Sequence, residues 1–160
     1  MTGVTARLAR PEDWTTWRDL RLRALRDSPS AFGSTYEREA RFDEADWRSR
    51  TGSEDAVSVI AWDGATAVAM GGGFQDLPGL LHVVAMWTDP ARRGLGAGTA
   101  VLCAVEAWAR DRGLGLHLDV NLANPRARAL YEHHGYVGTG ETRPLREGST
   151  ETVERMVLRR

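Results

Sequence analysis

Two arginines and three alternating glycines, Arg92-Arg93-Gly94-Leu95-Gly96-Ala97-Gly98-Thr99, follow an apolar strand that breaks at Asp89-Pro90 and lead into a helical pattern. Phosphate is the chemistry this arrangement serves. Glycine lets the backbone approach a ligand closely, the first N–H groups of a helix lack internal partners, and the helix dipole adds partial positive charge. Arginine grips phosphate oxygens in bidentate fashion. The loop is expected to hold a pyrophosphate.

Several owners of that pyrophosphate are distinguishable. The Gly-x-x-x-x-Gly-Lys-Ser/Thr loop requires a lysine, and the chain contains none. A dinucleotide fingerprint fits at Gly94-x-Gly96, but Thr99 stands where the third glycine belongs. Asp119 comes late for a ribose carboxylate, and too little chain follows for the second half of such a fold. The single cysteine, Cys103, excludes an internal disulfide or a cysteine metal cluster, and beside Val101, Leu102 and Val105 it reads as structural. Since every cationic side chain is arginine, a lysine-reactive group handled here would meet no side-chain amine.

The elements that must position the loop follow from periodicity. Val4 to Ala9 alternates as a first strand, and Pro11 opens a helix with Trp14, Trp17, Leu20, Ala24 and Leu25 at helical spacing, ending near Pro29. Glu37 to Arg50 reads as another helix. Phe32, Tyr36, Phe42 and Trp47 suit a core individually, but together they mark the region expected to shape a substrate pocket, with Phe32 and Tyr36 as its candidates. Val57 to Trp62 and Ala67 to Phe74 form a hairpin about Asp63-Gly64, and Gly71-Gly72-Gly73 predicts a bend or close backbone approach. Leu80 to Trp87 alternates little, as a strand buried on both faces does. After the loop come a helix over Thr99 to Arg112 and a strand, Leu116 to Asn121, with one polar face. Asn124-Pro125 then caps and starts a short helix that stops at Gly135. Tyr136 to Thr142 and Glu151 to Leu158 complete the strands.

A length of 160 residues predicts one domain over 1–160, and 42% hydrophobic with 27% charged residues predicts a globular one. A formal net charge of -1 gives no basic field for nucleic acid. Met1-Thr2-Gly3-Val4-Thr5 lacks the basic and apolar regions of a leader, and no apolar run approaches membrane length. A cytoplasmic protein with neither nucleic acid nor membrane as partner is the expectation.

Arg93-x-x-Gly96-x-Gly98 between strand and helix, followed by Asn124-Pro125-Arg126-Ala127-Arg128-Ala129-Leu130-Tyr131-Glu132-His133-His134-Gly135-Tyr136, resembles the GCN5-related N-acetyltransferase (GNAT) family. Both family motifs occur in order, and the match spans about Leu80 to Tyr136. The resemblance implies an α/β (α+β) fold of the acyl-CoA N-acyltransferase type. Its central mixed, mostly antiparallel sheet has about seven strands flanked by four helices, with the fourth and fifth strands parallel and splayed. It implies acetyl-CoA as co-substrate, no metal, and a pantetheine arm lying in the gap like an extra strand. Met86, Trp87 and Thr88 then offer backbone contacts to that arm, and Arg92, Arg93, Gly94, Leu95, Gly96, Ala97, Gly98 and Thr99 hold the pyrophosphate. Asn124 reaches the pantetheine, Arg128 counts with it among the donor-binding residues, and Tyr131 matches the family's general acid. His82 stands about where many relatives carry a glutamate base; Asp119, Glu141 and a water chain are alternatives. The implied reaction is transfer of acetyl to a primary amine of a small molecule or peptide, in a family where homodimers are common. An acyl-CoA-binding sensor or scaffold without catalysis is the competing reading.

Overall fold

The computed structural model describes residues 3–158. Met1 and Thr2 of the segment read above for a leader lie outside the described residues. Seven strands form one sheet in the order β1 (Val4–Leu8), β2 (Ala56–Asp63), β3 (Thr66–Leu77), β4 (Leu80–Thr88), β5 (Gly115–Asn121), β7 (Thr152–Leu158), β6 (Tyr136–Pro144). All neighbours are antiparallel except β4 and β5.

The helices are α1 (Trp14–Asp27), α2 (Tyr36–Glu39), α3 (Glu44–Ser49), α4 (Ala97–Asp111) and α5 (Pro125–His133). Among the described residues there are five where four were expected, because the helix read over 37–50 is two. Thr35 caps the first, and Asp43 starts the second by accepting from the Asp46 N–H while Asp46 accepts from the Asp43 N–H. That reciprocal cap outweighs the continuous periodicity of the segment.

One sheet face packs α4 through Val101, Leu102, Val105 and Ala109, all fully buried against Val59, Leu81, Val83 and Leu118. The other packs α1 through Trp17, Leu20, Ala24 and Leu25 against Ile60, Met70 and Trp87. Burying each such side chain stabilises by about 1.5–3 kcal/mol before entropy, so these two layers hold the sheet between them. α4 stops where Gly113 turns to φ +68: its N–H bonds the Arg110 carbonyl, and the Leu114 N–H bonds Ala109 at 2.9 Å.

Gly71-Gly72-Gly73 is a close approach within a strand that continues to Leu77. A Cβ on Gly72 would lie 2.3 Å from the Val57 carbonyl oxygen, and one on Gly71 2.4 Å from Met86 Sδ. Opposite Gly71, β4 carries a bulge: Met70 pairs with Trp87 and Gly72 with Val84, so Ala85 and Met86 face one residue. Ala85 has φ +63, alone among described non-glycine residues in being positive.

Already before the bulge, after His82, β4 leaves β5. The two pair only at Leu80–Gly115, Leu81–Leu116 and His82–His117, after which β5 is held by β7. The polar face of β5 is not left to water: His117 is 1% exposed and Asn121 8%.

Candidate active site

A cleft of about 620 Å³ opens where β4 and β5 part. Gly94 and Gly96 supply its floor by turning the chain at φ +81 and +86, conformations that L side chains rarely adopt. A Cβ at either would touch nothing, so the backbone angle and not space demands glycine. Gly96 caps α4, whose first internal bond runs from the Ala100 N–H to the Gly96 carbonyl at 3.0 Å. The N–H groups of Ala97, Gly98 and Thr99 therefore lack intrahelical acceptors, at the positive end of a 15-residue helix.

The opposite wall is α5. Asn124 caps it by accepting from the Ala127 N–H at 3.1 Å through Oδ1, so that a ligand would be met by Nδ2. Tyr131 reaches the cleft with 8% exposure, and burial pushes its phenol up to about 12. The third wall is β4 itself at Met86, Trp87 and Thr88, closed by the segment that follows α1.

Cations around the cleft are unequally free. Arg93 lines it, with Nη2 on Asp27 Oδ2 at 3.0 Å and Nε on the Thr88 carbonyl at 3.1 Å. Asp27 also accepts from Ser28 Oγ at 2.7 Å and Trp87 Nε1 at 3.0 Å. These bonds, Ser28 and Trp87 ahead of Arg93, hold its carboxyl below the ordinary range.

Of the thirteen residues assigned above to the donor, ten meet at this cleft, where Tyr131 joins them, and three do not. Arg92 turns to an ion pair with Asp63, Leu95 is 61% exposed outside the cleft, and Arg128 pairs with Glu154 at 2.8 Å. Neither acceptor candidate lines this cleft. Phe32 is 5% exposed in the core under the Arg21 guanidinium, and the Tyr36 hydroxyl accepts from Arg26 away from the cleft.

Arg126 was not singled out and does line the cleft, as do Ser28 and Ser30. No local signal separates Arg126 from Arg128, since each stands three or four residues before a side chain of the inward stripe, Leu130 or Tyr131. Nothing local marks Ser28 or Ser30, which the end of α1 delivers. Asn121 ties that segment down by donating to the Ser30 carbonyl at 2.7 Å.

His82 stands on the last paired rung, behind the bulge, not among the lining residues. Its Nδ1 lies 3.4 Å from Asp76 Oδ2 and its Nε2 3.6 Å from Asp119 Oδ2. Burial holds its imidazole below the ordinary histidine value, against the opposing pull of Asp119 and Asp76. Burial alone would raise Asp119, but Arg155 at 3.1 Å and Arg143 outweigh it and keep the carboxylate ionised. Among the described residues no helix is long and apolar enough to cross a membrane.

The acetyltransferase (GNAT) family model matches residues 14–136. A mycothiol acetyltransferase of Thermobispora bispora is 32% identical over 139 residues, covering 84% of this chain and 46% of that protein, so the chain spans about half the length of this curated relative. A GNAT-family acetyltransferase of Streptococcus pneumoniae superposes with a TM-score of 0.77 at 16% identity, over 98% of this chain and 99% of that one. A Bacillus anthracis structure in complex with acetyl coenzyme A has a TM-score of 0.62 at 19% identity, over 69% and 66% of the two chains.

Proposed function

The chain belongs to the acetyltransferase (GNAT) family, and from that premise we propose that it transfers an acetyl group from acetyl-CoA to the primary amine of a small molecule or peptide. The observation that carries this reading is the meeting, in one cleft, of the unpaired N–H groups of α4, the parted edge of β4 and the Tyr131 side chain.

In this reading Gly94 to Thr99 and Arg93 bind the pyrophosphate, and the pantetheine arm lies along Met86 to Thr88. An N–H at the bulge donates to the thioester carbonyl, where negative charge grows in the transition state. The acceptor ammonium gives one proton to His82, directly or through water. Its nitrogen lone pair then attacks the carbonyl carbon, the C–S bond breaks, and sulfur keeps the pair. Nitrogen loses its second proton as sulfur gains one, so the products are amide, free thiol and one released proton.

Tyr131 serves that second exchange. Against a thiol of about 8.5, a phenol near 12 gives up its proton roughly 5 kcal/mol uphill. The phenol therefore acts as a hydrogen-bond donor to the developing thiolate, and its proton moves only as the proton from nitrogen replaces it.

The test is a screen for free thiol released from acetyl-CoA across polyamines, amino acids, amine antibiotics and peptide N-termini. Turnover with one class supports the reading. Tight acetyl-CoA binding with no turnover in any class turns the protein into a binding module.

A further inference from the structure

Two imidazoles share one carboxylate at the point where β4 and β5 separate. His117 Nε2 meets Asp76 Oδ1 at 2.8 Å, and His82 Nδ1 faces Oδ2 of the same side chain at 3.4 Å. The rings are stacked, centroids 4.8 Å apart and planes 23° from parallel. That stacking separates this cluster from a metal centre, because imidazole lone pairs lie in the ring plane and nearly parallel planes do not converge on one ion.

The proton positions follow from the charges around the rings. His82 is faced by Asp76 from β3, by His117 and Asp119 from β5, and by the field of Arg155 from β7. Asp119 is already matched by two guanidinium groups, Arg155 and Arg143 of β6. Asp76 accepts from imidazole instead, so its oxygen is the stronger acceptor for the one N–H of a neutral His82. His117 Nδ1 is buried without a partner while Nε2 meets Asp76, so Nε2 is the ring nitrogen whose proton finds an acceptor.

Resting on the reading of His82 as base, we propose that Asp76 is its positioning residue: the carboxylate takes the Nδ1–H of His82, which leaves Nε2 as the proton acceptor, while His117 donates to the other oxygen and holds the carboxylate in place. The arrangement solves a problem specific to this site. Between two carboxylates, a neutral imidazole has no inherent preference for either tautomer, and only one leaves its base nitrogen on the Asp119 side. Asp76 removes the ambiguity, and burial keeps that lone pair unprotonated at neutral pH.

The direct test is a long-range proton–nitrogen correlation spectrum of the full chain, which reads the tautomer of each histidine without needing an acceptor. Expected are Nδ1–H for His82 and Nε2–H for His117; a His82 protonated on Nε2 overturns the proposal. In Asp76→Asn, His82 should lose its single tautomer and its titration midpoint should fall, because an anion is gone. Unchanged tautomer and midpoint also overturn it. With the amine that turns over in the screen, Asp76→Asn should lower kcat by about 10²-fold with the KM for acetyl-CoA unchanged, and the acidic limb of the rate profile should move to lower pH. His82→Gln separates the two claims. If it keeps the acidic limb, the base reading fails whatever the spectrum shows; if it loses the limb while Asp76→Asn behaves as wild type, only the positioning role fails.

Discussion

Tyr131 meets Tyr136 edge to face, with ring centroids 6.0 Å apart and planes at 65°, so that the first residue of β6 backs the phenol that reaches the cleft. Edge-to-face pairs contribute about 0.5–1.5 kcal/mol beyond area burial and fix ring orientation. Tyr131→Phe keeps that packing and removes only the hydroxyl. Turnover should fall by about 10²-fold or more while calorimetry shows acetyl-CoA bound as before. Unaltered turnover would remove the phenol from the mechanism.

The loop before α4 makes a separate prediction. Gly96→Ala forces a side chain into φ +86 where nothing obstructs the Cβ, so the cost should be backbone strain of about 1 kcal/mol in a urea melt. Gly96→Glu adds a negative charge beside the bare N–H groups and should abolish coenzyme A binding measured by titration calorimetry. Retained micromolar affinity would contradict the pyrophosphate assignment.

The pH dependence has a definite sign. A histidine held below about 6.5 in the folded protein keeps its lone pair to lower pH than a free one, so the acidic limb of kcat/KM should fall below pH 6.5. The same shift acts on stability. Below about 6.5 the unfolded chain binds the His82 proton more readily than the folded one, so stability should decline as pH falls from there to the folded value. Asp76 and Asp119, both depressed, lose their contributions only at lower pH still, as pH falls through their own folded values. Urea melts at pH 7.5 and 5.5 should show the decline, and His82→Gln should reduce it.

A buried ion pair makes a further prediction. Glu39, 1% exposed, takes two bonds from Arg21 at 3.0 Å each, which ties α2 to α1. Glu39→Ala leaves a guanidinium buried without its carboxylate and should destabilise by about 3–5 kcal/mol in denaturant. Replacing both partners by apolar residues of similar volume should cost far less, and equal losses would argue against the electrostatic origin.

How much of this was legible in the sequence depended on whether the cause was local. Gly94 and Gly96 and the Asn124-Pro125 cap each act within a few residues, and each was readable where it stands. The break between α2 and α3 was also local, yet helical periodicity over 37–50 concealed the Asp43–Asp46 cap. Residues settled by distant partners were not readable. Arg92, Arg93 and Arg126 look alike along the chain, and Asp63, Asp27 and the packing of α5 decide which of them faces the cleft. His117 and Asn121 look like a wet strand face until Asp76 arrives from β3 and Ser30 from the end of α1.

The bulge at Ala85 carries a consequence for how the protein can change. An alanine at φ +63 sits about 1 kcal/mol or more above its relaxed conformation, and every larger or β-branched side chain would sit higher. Glycine would relieve the strain but loosen the peptide whose N–H direction the kink sets. Position 85 is therefore squeezed from both sides and tolerates almost no drift, while the exposed β6 edge is free to vary.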